Sequence, residues 1–311
     1  MPLSWIYWLV FALRKQCYRL ALFSSYRADI PVIIVGNLTV GGTGKTPLVI
    51  HLVEQLRANG FSPAVISRGY SGDATSYPLE VTESTPVNES GDEPALIVKR
   101  TKVPMVVGPN RGASIDLLLT NHSVDVIISD DGLQHFALKR DVEICLLDDT
   151  VKSENYSLLP AGPYRESLSR LKTIDLVVHH QPEKKNLEQG RFNMTLQASS
   201  AKPLNGLAGE VNRLNKKERV HAVAGIGNPQ RFFDTCQSEG YYFEAHAFAD
   251  HHHFNKSDLM FGDEAPILMT EKDAVKCQSF TINDAWYLPV DAKLSDGFVE
   301  ALLAKLAIVK K

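Results

Sequence analysis

A lysine and a threonine that follow a glycine-rich turn could bind the phosphates of a nucleotide. The stretch Pro31–Thr46 reads PVIIVGNLTVGGTGKT, an apolar run followed by closely spaced glycines and then by Lys45 and Thr46. Glycines let successive backbone N–H groups point inward at a phosphate, and a helix N-terminus adds partial positive charge. Lys45 can reach the β/γ-phosphates, and the Thr46 hydroxyl can bind magnesium. The stretch therefore predicts a P-loop.

The match to the general P-loop pattern has one departure. That pattern is G-x-x-x-x-G-K-[ST], and Thr39 stands where its first glycine is expected. The surroundings favour the P-loop, because an apolar strand precedes the turn and a helical pattern follows it. Pro47 falls in the first helical turn, where a missing N–H costs little. The alternative is a tight strand–helix turn without a ligand.

Two aspartates, Asp130 and Asp131, follow the apolar run VDVIIS and could complete a magnesium site. Ligands of open α/β sheets bind at the carboxyl ends of strands, and an acid beside a P-loop commonly holds the magnesium shell. The alternative is a turn or helix cap, a position that Asp also favours. Gln134 and His135 follow in DDGLQH, so this loop collects several polar groups.

Further charged residues stand at strand ends or helix starts. Asp92 heads a predicted helix, where an N-cap is its simplest role. Arg68 and Arg111 could clamp a phosphate, or could equally lie on the surface. The charged turns Arg165-Glu166 and 270–273 fit a site and a solvated loop equally well.

The run Asp250-His251-His252-His253 contains the residue types of a transition-metal site but not their usual spacing. Adjacent histidines point in different directions on most backbones, and no H-x-x-x-H pattern is present. An Asp–His pair in a loop suits general-base chemistry better.

Strands that alternate with helices must position these residues. Apolar runs that end at the chemical motifs are typical of a parallel sheet with helices on both faces. The pattern breaks at a polar segment rich in Pro and Gly, which favours a linker or a functional loop. We predict an α/β fold with an N-terminal helix (1–28), a P-loop nucleotide-binding domain (29–150), a linker (151–165) and a second α/β domain (166–311).

Composition favours a packed globular protein. The chain has 311 residues, of which 44% are hydrophobic and 22% charged, and its net charge of −3 gives no general argument for nucleic-acid binding. The four cysteines are scattered without a C-x-x-C pair, which supports neither a disulfide framework nor a zinc knuckle. A reducing, cytoplasmic environment is the simpler interpretation.

The N-terminal residues 3–13, LSWIYWLVFAL, are nearly all apolar. A bilayer span needs about 20 such residues, and the run also lacks the basic start of a signal peptide. Trp5, Tyr7 and Trp8 suit a membrane–water interface, and basic residues follow on one face of the helix. We expect a helix at a membrane surface; the alternative is a helix packed on the protein's own core.

Together the motifs resemble the tetraacyldisaccharide 4′-kinase family of lipid A biosynthesis. The matching stretches, in the family's order, are VGNLTVGGTGKTP, SRGY, GDEP, DDGLQH, PAGPYRE, FADHHHF and TEKDAVK, which span Val35–Lys276. Thr39 looks like the family's own version of the P-loop, whereas Leu133 stands where an aromatic residue is expected. The resemblance implies ATP-dependent phosphorylation of the 4′-hydroxyl of a tetraacylated disaccharide 1-phosphate.

The resemblance also implies a fold and a location. Two α/β/α sandwich domains would be joined by a short two-stranded linker, with ATP bound to the N-terminal domain and catalysis in the cleft. The N-terminal helix would lie on the cytoplasmic face of the inner membrane, as a peripheral or monotopic anchor near the acylated acceptor. The expected partners are therefore this lipid and the membrane surface, with no nucleic acid; the sequence identifies no protein partner.

Roles for single residues follow from the same resemblance. Asp92, paired with His251, would accept the proton of the attacking hydroxyl, and Asp130 and Asp131 would bind Mg²⁺ together with Thr46. The residues implied to hold ATP are Thr39, Val40, Gly41, Gly42, Thr43, Gly44, Lys45 and Thr46. The residues implied to lie in the cleft without an assigned role are Arg68, Arg111, Gln134, His135, Arg165 and Glu166.

Two other classes of protein share some of these motifs. A P-loop switch or metal-insertion ATPase that acts with a protein partner would suit GGTGKT and the histidines 251–253. A membrane-tethered nucleotide-binding module without catalysis would suit the apolar N-terminus. Neither class accounts for the whole set of motifs.

Overall fold

The computed structural model describes residues 2–149, 155–180, 188–204 and 214–309. The strands are β1 Val32–Gly36, β2 Pro63–Ser67, β3 Leu79–Val81, β4 Met105–Val107, β5 Val126–Ser129, β6 Val142–Asp148, β7 Leu176–His180, β8 Arg191–Ala198, β9 Lys202–Pro203, β10 Arg219–Ala224, β11 Tyr242–Ala247, β12 Ile267–Thr270, β13 Ala285–Leu288 and β14 Val290–Leu294. The helices are α1 Pro2–Arg19, α2 Lys45–Ala58, α3 Val87–Ser90, α4 Asp92–Thr101, α5 Arg111–Asn121, α6 Pro229–Ser238, α7 Glu271–Cys277 and α8 Phe298–Val309.

The larger sheet has nine strands in the order β14-β8-β7-β6-β1-β5-β2-β4-β3. Every pair from β8 to β4 is parallel, and only the two edge strands run antiparallel. The central strands are buried along their whole length, as expected for a parallel sheet covered on both faces. Leu48 of α2 and Leu302 of α8 pack on one face, and Ile115 of α5 packs on the other.

The smaller sheet has five strands in the order β11-β10-β12-β13-β9, of which only β9 is antiparallel. Phe232 and Phe233 of α6 cover one face, and Ala274 and Cys277 of α7 belong to the core on the other. Each sheet therefore lies between helices, and the predicted α/β class with two layered sheets is confirmed.

The chain passes between the sheets through two neighbouring strands. All five strands of the smaller sheet come between β8 and β14 in sequence, and β8 and β14 pair antiparallel at the edge of the larger sheet. At the junction the Ser199 amide donates to the Pro289 carbonyl over 3.0 Å. The predicted linker at 151–165 does not coincide with this passage, because β7, β8 and β14 follow it in sequence and still belong to the larger sheet.

The predicted linker instead forms a wall of the P-loop where the structure describes it; residues 151–154 lie outside the described residues. Thr39 forms a β-bridge with Tyr164, and the Val40 amide donates to the Pro163 carbonyl over 2.9 Å. Proline, glycine and polar residues are typical of linkers and of functional loops alike, and here they form a loop at the site.

Helix α1 contributes no buried residue to either core. Trp5 is 71% exposed and Trp8 50%. The helix is fastened at one side, where the Ser4 hydroxyl donates to the Leu158 carbonyl and the Tyr7 hydroxyl to the Arg165 carbonyl. None of the helices within the described residues has both the length and the apolarity needed to cross a bilayer.

Candidate active site

The P-loop turns between β1 and α2 at glycines with positive φ. Gly41 has φ 109° and Gly44 has φ 96°, values at which a side chain would be strained. Helix α2 begins at Lys45, so the first amides of the helix have no partner within it and face the loop. The sequence predicted this geometry from its glycine spacing.

The side chains of Asn37, which follows β1, and of His180, in β7, hold the loop in place. The Asn37 amide donates to the Thr43 hydroxyl over 3.2 Å, and His180 Nδ1 lies 3.1 Å from the Thr43 carbonyl oxygen. A Cβ on Gly44 would come within 3.3 Å of the Met194 side chain, which leaves little room for any residue but glycine. His180 and Met194 come from β7 and β8, so no sequence motif connected them with the P-loop.

A cleft of about 1360 Å³ opens beside the loop and is lined from both sheets. Val40 to Thr46 all line it, whereas Thr39 pairs with Tyr164 instead. Of the other residues predicted for the cleft, those that line it are Arg68, Arg111, Gln134, His135 and Arg165.

Burial lowers the pKa of two of these residues, Arg111 and His135. The Arg111 guanidinium is buried and donates to the backbone carbonyls of Asp130 and Gly108, and burial lowers its pKa to about 10. Burial, with nearby arginines adding to the effect, lowers the pKa of His135 to about 4, so the imidazole is neutral at physiological pH.

Glu166 lies behind the cleft wall rather than on it. The Glu166 carboxylate is buried, accepts from Gln134 over 3.0 Å and pairs with Lys15 of α1 at 3.3 Å. Arg170 also approaches it, at 3.6 Å. Glu166 therefore connects the N-terminal helix to the DDGLQH loop, a role that the sequence did not indicate.

The two aspartates after β5 have opposite electrostatic environments. Asp130 is 1% exposed, and burial, reinforced by nearby Glu93, raises its pKa to about 7. Burial would also raise the pKa of Asp131, but Lys45 at 3.6 Å and Arg165 at 3.0 Å lower it below its ordinary value. The Asp130 Oδ1 atom has no hydrogen-bond partner in the described part of the chain.

Asp92 and His251 form a hydrogen-bonded pair that joins the two sides of the cleft. Asp92 begins α4 and is 3% exposed, and its Oδ2 atom lies 3.0 Å from His251 Nδ1. His251, at φ 57°, lines the cleft and packs against the ring of Tyr70, whereas Asp92 lies behind it. Lys272 approaches the same carboxylate oxygen, at 3.7 Å.

Asp92 and His251 each shift the pKa of the other so that the charged form is favoured. Burial alone would raise the pKa of Asp92, but the His251 hydrogen bond and the Lys272 charge bring it below its ordinary value. The hydrogen bond to Asp92 in turn raises the pKa of His251, although burial and Lys272 oppose this.

His252 and the charged turn at 270–273 make contacts that differ from those of His251. His252 points away from Asp92 and contacts Asp258 at 3.0 Å, as expected for adjacent residues. In the 270–273 turn, Lys272 faces the cleft and pairs with Glu93 at 3.0 Å. The Asp273 carboxylate instead accepts from the Gly225 amide over 2.8 Å, and Thr270 caps the helix by accepting from the Asp273 amide.

Sequence reasoning missed Arg231 of α6, which reaches across the cleft to the P-loop. Its guanidinium donates to Asp148 over 2.6 Å and to the Gly42 carbonyl over 3.4 Å. Gly227 makes a similar approach, because a Cβ there would lie 3.5 Å from the Gly42 amide. No local pattern in the sequence links Arg231 to Gly42, which lies 189 positions earlier.

Comparison with known proteins agrees with this arrangement. The family model described as LpxK, tetraacyldisaccharide-1-P 4′-kinase, matches residues 1–307. A tetraacyldisaccharide 4′-kinase of Pseudoalteromonas atlantica is 45% identical over 311 residues, which cover all of both chains. One of Pasteurella multocida is 46% identical and is covered over 95% of its length.

A solved structure has the same fold. The crystal structure of LpxK from Aquifex aeolicus in complex with ATP superposes with a TM-score of 0.82 at 27% identity, and 98% of each chain is covered. The resemblance drawn from the sequence motifs is therefore confirmed. On the whole-chain family match and these relatives, the chain belongs to the tetraacyldisaccharide-1-P 4′-kinase family.

Proposed function

We propose that this protein transfers the γ-phosphoryl group of ATP to the 4′-hydroxyl of a tetraacylated disaccharide 1-phosphate. The observation that carries the proposal is that the P-loop and the Asp92–His251 pair open on one cleft. The activity for which the relatives are named indicates the acceptor, and the ATP in the related crystal structure indicates the donor. Such a transfer needs a phosphate cradle and a proton acceptor on one cleft, roles that the P-loop and the Asp92–His251 pair would fill.

At the phosphate end, this chain supplies positive charge from fixed positions. The P-loop amides and Lys45 would bind the β- and γ-phosphates, and the N-terminus of α2 adds its partial charge. Phosphoryl transfer depends mainly on positioning and charge neutralisation, so a loop held by Asn37 and His180 loses little energy to reorganisation.

Thr46, Asp130 and Asp131 would hold Mg²⁺. Oxygen donors are the ligands that Mg²⁺ prefers, and the buried Asp130 Oδ1 atom lacks a hydrogen-bond partner among the described residues. Arg111 holds the Asp130 backbone, which fixes the position of the carboxylate. When bound, the ion neutralises charge on the transferring phosphates.

At the acceptor end, the Asp92–His251 pair would accept the proton of the 4′-hydroxyl as the new P–O bond forms. His251 is the member that lines the cleft, and its Nδ1 atom faces Asp92, so its Nε2 atom, which lies 3.7 Å from Asp250, is the nitrogen that would take the proton. Asp92 stabilises the imidazolium that results. Lys272 keeps Asp92 ionised and so maintains its ability to do this.

The exposed face of α1 would bind the cytoplasmic face of the inner membrane, in which the acylated acceptor lies. Its tryptophans and leucines are exposed, and Arg14, behind them, lines the cleft. An interfacial helix beside the cleft mouth suits a substrate whose acyl chains stay in the bilayer.

The experiment measures transfer of labelled γ-phosphate from ATP to the tetraacylated disaccharide 1-phosphate in detergent micelles with Mg²⁺. We expect a product labelled at the 4′-position and no transfer after chelation with EDTA. A matched acceptor that already carries a 4′-phosphate serves as control, because it presents the same acyl chains without the hydroxyl. A folded protein that binds ATP but labels neither acceptor would overturn the proposal, as would ATP hydrolysis without transfer.

A further inference from the structure

Two histidines and a glutamate lie together on the smaller sheet, away from the residues that line the cleft. In the parallel ladder between β10 and β11, His221 pairs with Glu244, and His246 is two residues further along β11. Side chains alternate along a strand, so all three share one face of the sheet. Their ligand atoms all lie within 4.8 Å of one another.

The surroundings fix the orientation of both imidazoles. His221 is buried, and its Nε2 atom lies 2.8 Å from Asp263, so this nitrogen carries the proton and donates it to the carboxylate. Its Nδ1 atom therefore presents a lone pair towards His246 Nε2, 2.9 Å away. The ring of Phe261 stacks on both imidazoles, with centroid distances of 4.3 and 4.0 Å.

We propose that His221, Glu244 and His246 bind one Zn²⁺ or a similar divalent transition-metal ion. Imidazole nitrogens and a carboxylate are ligands for such ions, and Asp263 would orient His221 as carboxylates do behind metal-bound histidines. Tetrahedral zinc with Zn–N bonds of about 2.0 Å needs the two nitrogens roughly 3.3 Å apart, a few tenths of an ångström more than their present separation.

Metal binding requires the His246 proton to move to the other ring nitrogen and the Arg219–Glu244 ion pair to break. In the metal-free protein His246 Nε2 donates its proton to His221 Nδ1; on binding, His246 carries that proton on Nδ1 and coordinates through Nε2. Arg219 pairs with Glu244 at 2.8 Å and also contacts Asp263. The ion therefore competes with Arg219 for Glu244, while Arg219 can keep its contact with Asp263.

The bound ion would join the edge strand to its neighbour. Among the described strands β11 pairs only with β10, and all of its side chains are exposed or half-buried. A ligand that binds the folded state alone raises the stability of that state with its concentration. The site is thus a metal-dependent brace of the smaller sheet, separate from the Mg²⁺ chemistry of the cleft.

The test uses the full-length chain without an affinity tag, stripped with EDTA and titrated with Co²⁺ in the absence of ATP. We expect one equivalent to give the intense visible absorption of tetrahedral Co²⁺ and to be displaced by Zn²⁺. His246→Gln should remove this absorption, and Glu244→Gln should weaken binding at least ten-fold. Arg219→Gln should tighten binding, an effect that misfolding could not produce.

His122→Gln is the matched control. His122 contacts Glu80 at 2.6 Å but, within the described part of the chain, belongs to no group of three metal-ligating side chains, so its loss should leave Co²⁺ binding unchanged. Circular dichroism confirms that each variant is folded. The proposal is overturned if the native chain gives no tetrahedral Co²⁺ spectrum, or if His246→Gln binds as native does; neither result depends on kinase activity.

Discussion

The two ends of the cleft are built in different ways. The phosphate end is one continuous segment, Asn37–Thr46, whose turn and helix start are adjacent in sequence. The acceptor end is assembled from Asp92 and His251, 159 positions apart, and from Lys272. The first takes its turn from a local backbone conformation that residues such as His180 support, whereas the second exists only when the two sheets are correctly packed. Binding of ATP and transfer of its phosphate should therefore respond to mutation separately.

The largest effect should come from removing the charge at the phosphate end. Lys45→Ala is expected to lower kcat roughly a thousand-fold, because a fixed donor to developing phosphate charge is lost. ATP affinity should fall as well, measured by equilibrium binding alongside phosphate transfer. Lys102→Ala, a change of an exposed lysine paired with Glu83 on the surface, is the control. Activity of Lys45→Ala within ten-fold of native would contradict this account of the loop.

The acceptor end should show the opposite pattern. His251→Ala is expected to lower kcat about a hundred-fold, the scale of a lost general base, while the Kd for ATP stays unchanged. His252→Ala removes the neighbouring imidazole, which contacts Asp258 instead, and should leave transfer near native. If both variants lose activity equally, the loop as a whole matters and the assignment to His251 is wrong.

The decrease in activity at low pH tests the role of Lys272, the third residue of the acceptor end. In the proposed mechanism His251 must be unprotonated, and because Asp92 raises the pKa of His251, kcat/KM should fall as the pH drops through a value above 6.5. Lys272 lowers the pKa of both groups. Lys272→Met should therefore move this decrease to higher pH and lower kcat/KM near neutrality.

The high-pH plateau separates this electrostatic effect from damage to the fold. Raising the pH should restore most of the activity of Lys272→Met, since both groups are then unprotonated. A profile with native inflections and a uniformly low plateau would instead assign Lys272 a purely structural role.

The smallest effect on chemistry should come from outside the cleft. Trp5→Glu combined with Trp8→Glu should weaken binding to anionic lipid vesicles about ten-fold, measured by co-sedimentation, because both side chains are exposed. With acceptor in detergent micelles, kcat should remain within about three-fold of native, since neither residue touches the P-loop or the Asp92–His251 pair. Unchanged vesicle binding would argue against α1 as the membrane-facing element.

The sequence predicted the parts of the fold that depend on short windows. The P-loop, the buried strands and the acids after β5 follow from local patterns, because glycine spacing and runs of apolar residues act within a few positions. The long-range partners did not follow. Arg231 contacts Gly42, and His180 supports Thr43, through packing between segments that no local pattern links. The pairing of Asp92 with His251 was expected only from family resemblance.

The segment 155–165 shows why one pattern can have two outcomes. Its prolines, glycine and polar residues break the alternation of strands and helices, which is what both a linker and a site loop do. Only tertiary packing distinguishes them, and here Pro163 and Tyr164 lie against the P-loop. The passage between the sheets occurs at Ser199, directly after β8, and at Pro289, between β13 and β14, and no proline- and glycine-rich segment marks it in the sequence.

That passage has a consequence for how such enzymes can diversify. Because β8 and β14, between which the smaller sheet is inserted, lie side by side, a single recombination event could exchange the part of the acceptor end that carries His251 and Lys272, while Asp92 would stay with the larger sheet. The nucleotide-handling unit would keep every one of its strands, since β8 and β14 remain paired. Selection could then change the acceptor while the P-loop and the larger sheet stay the same.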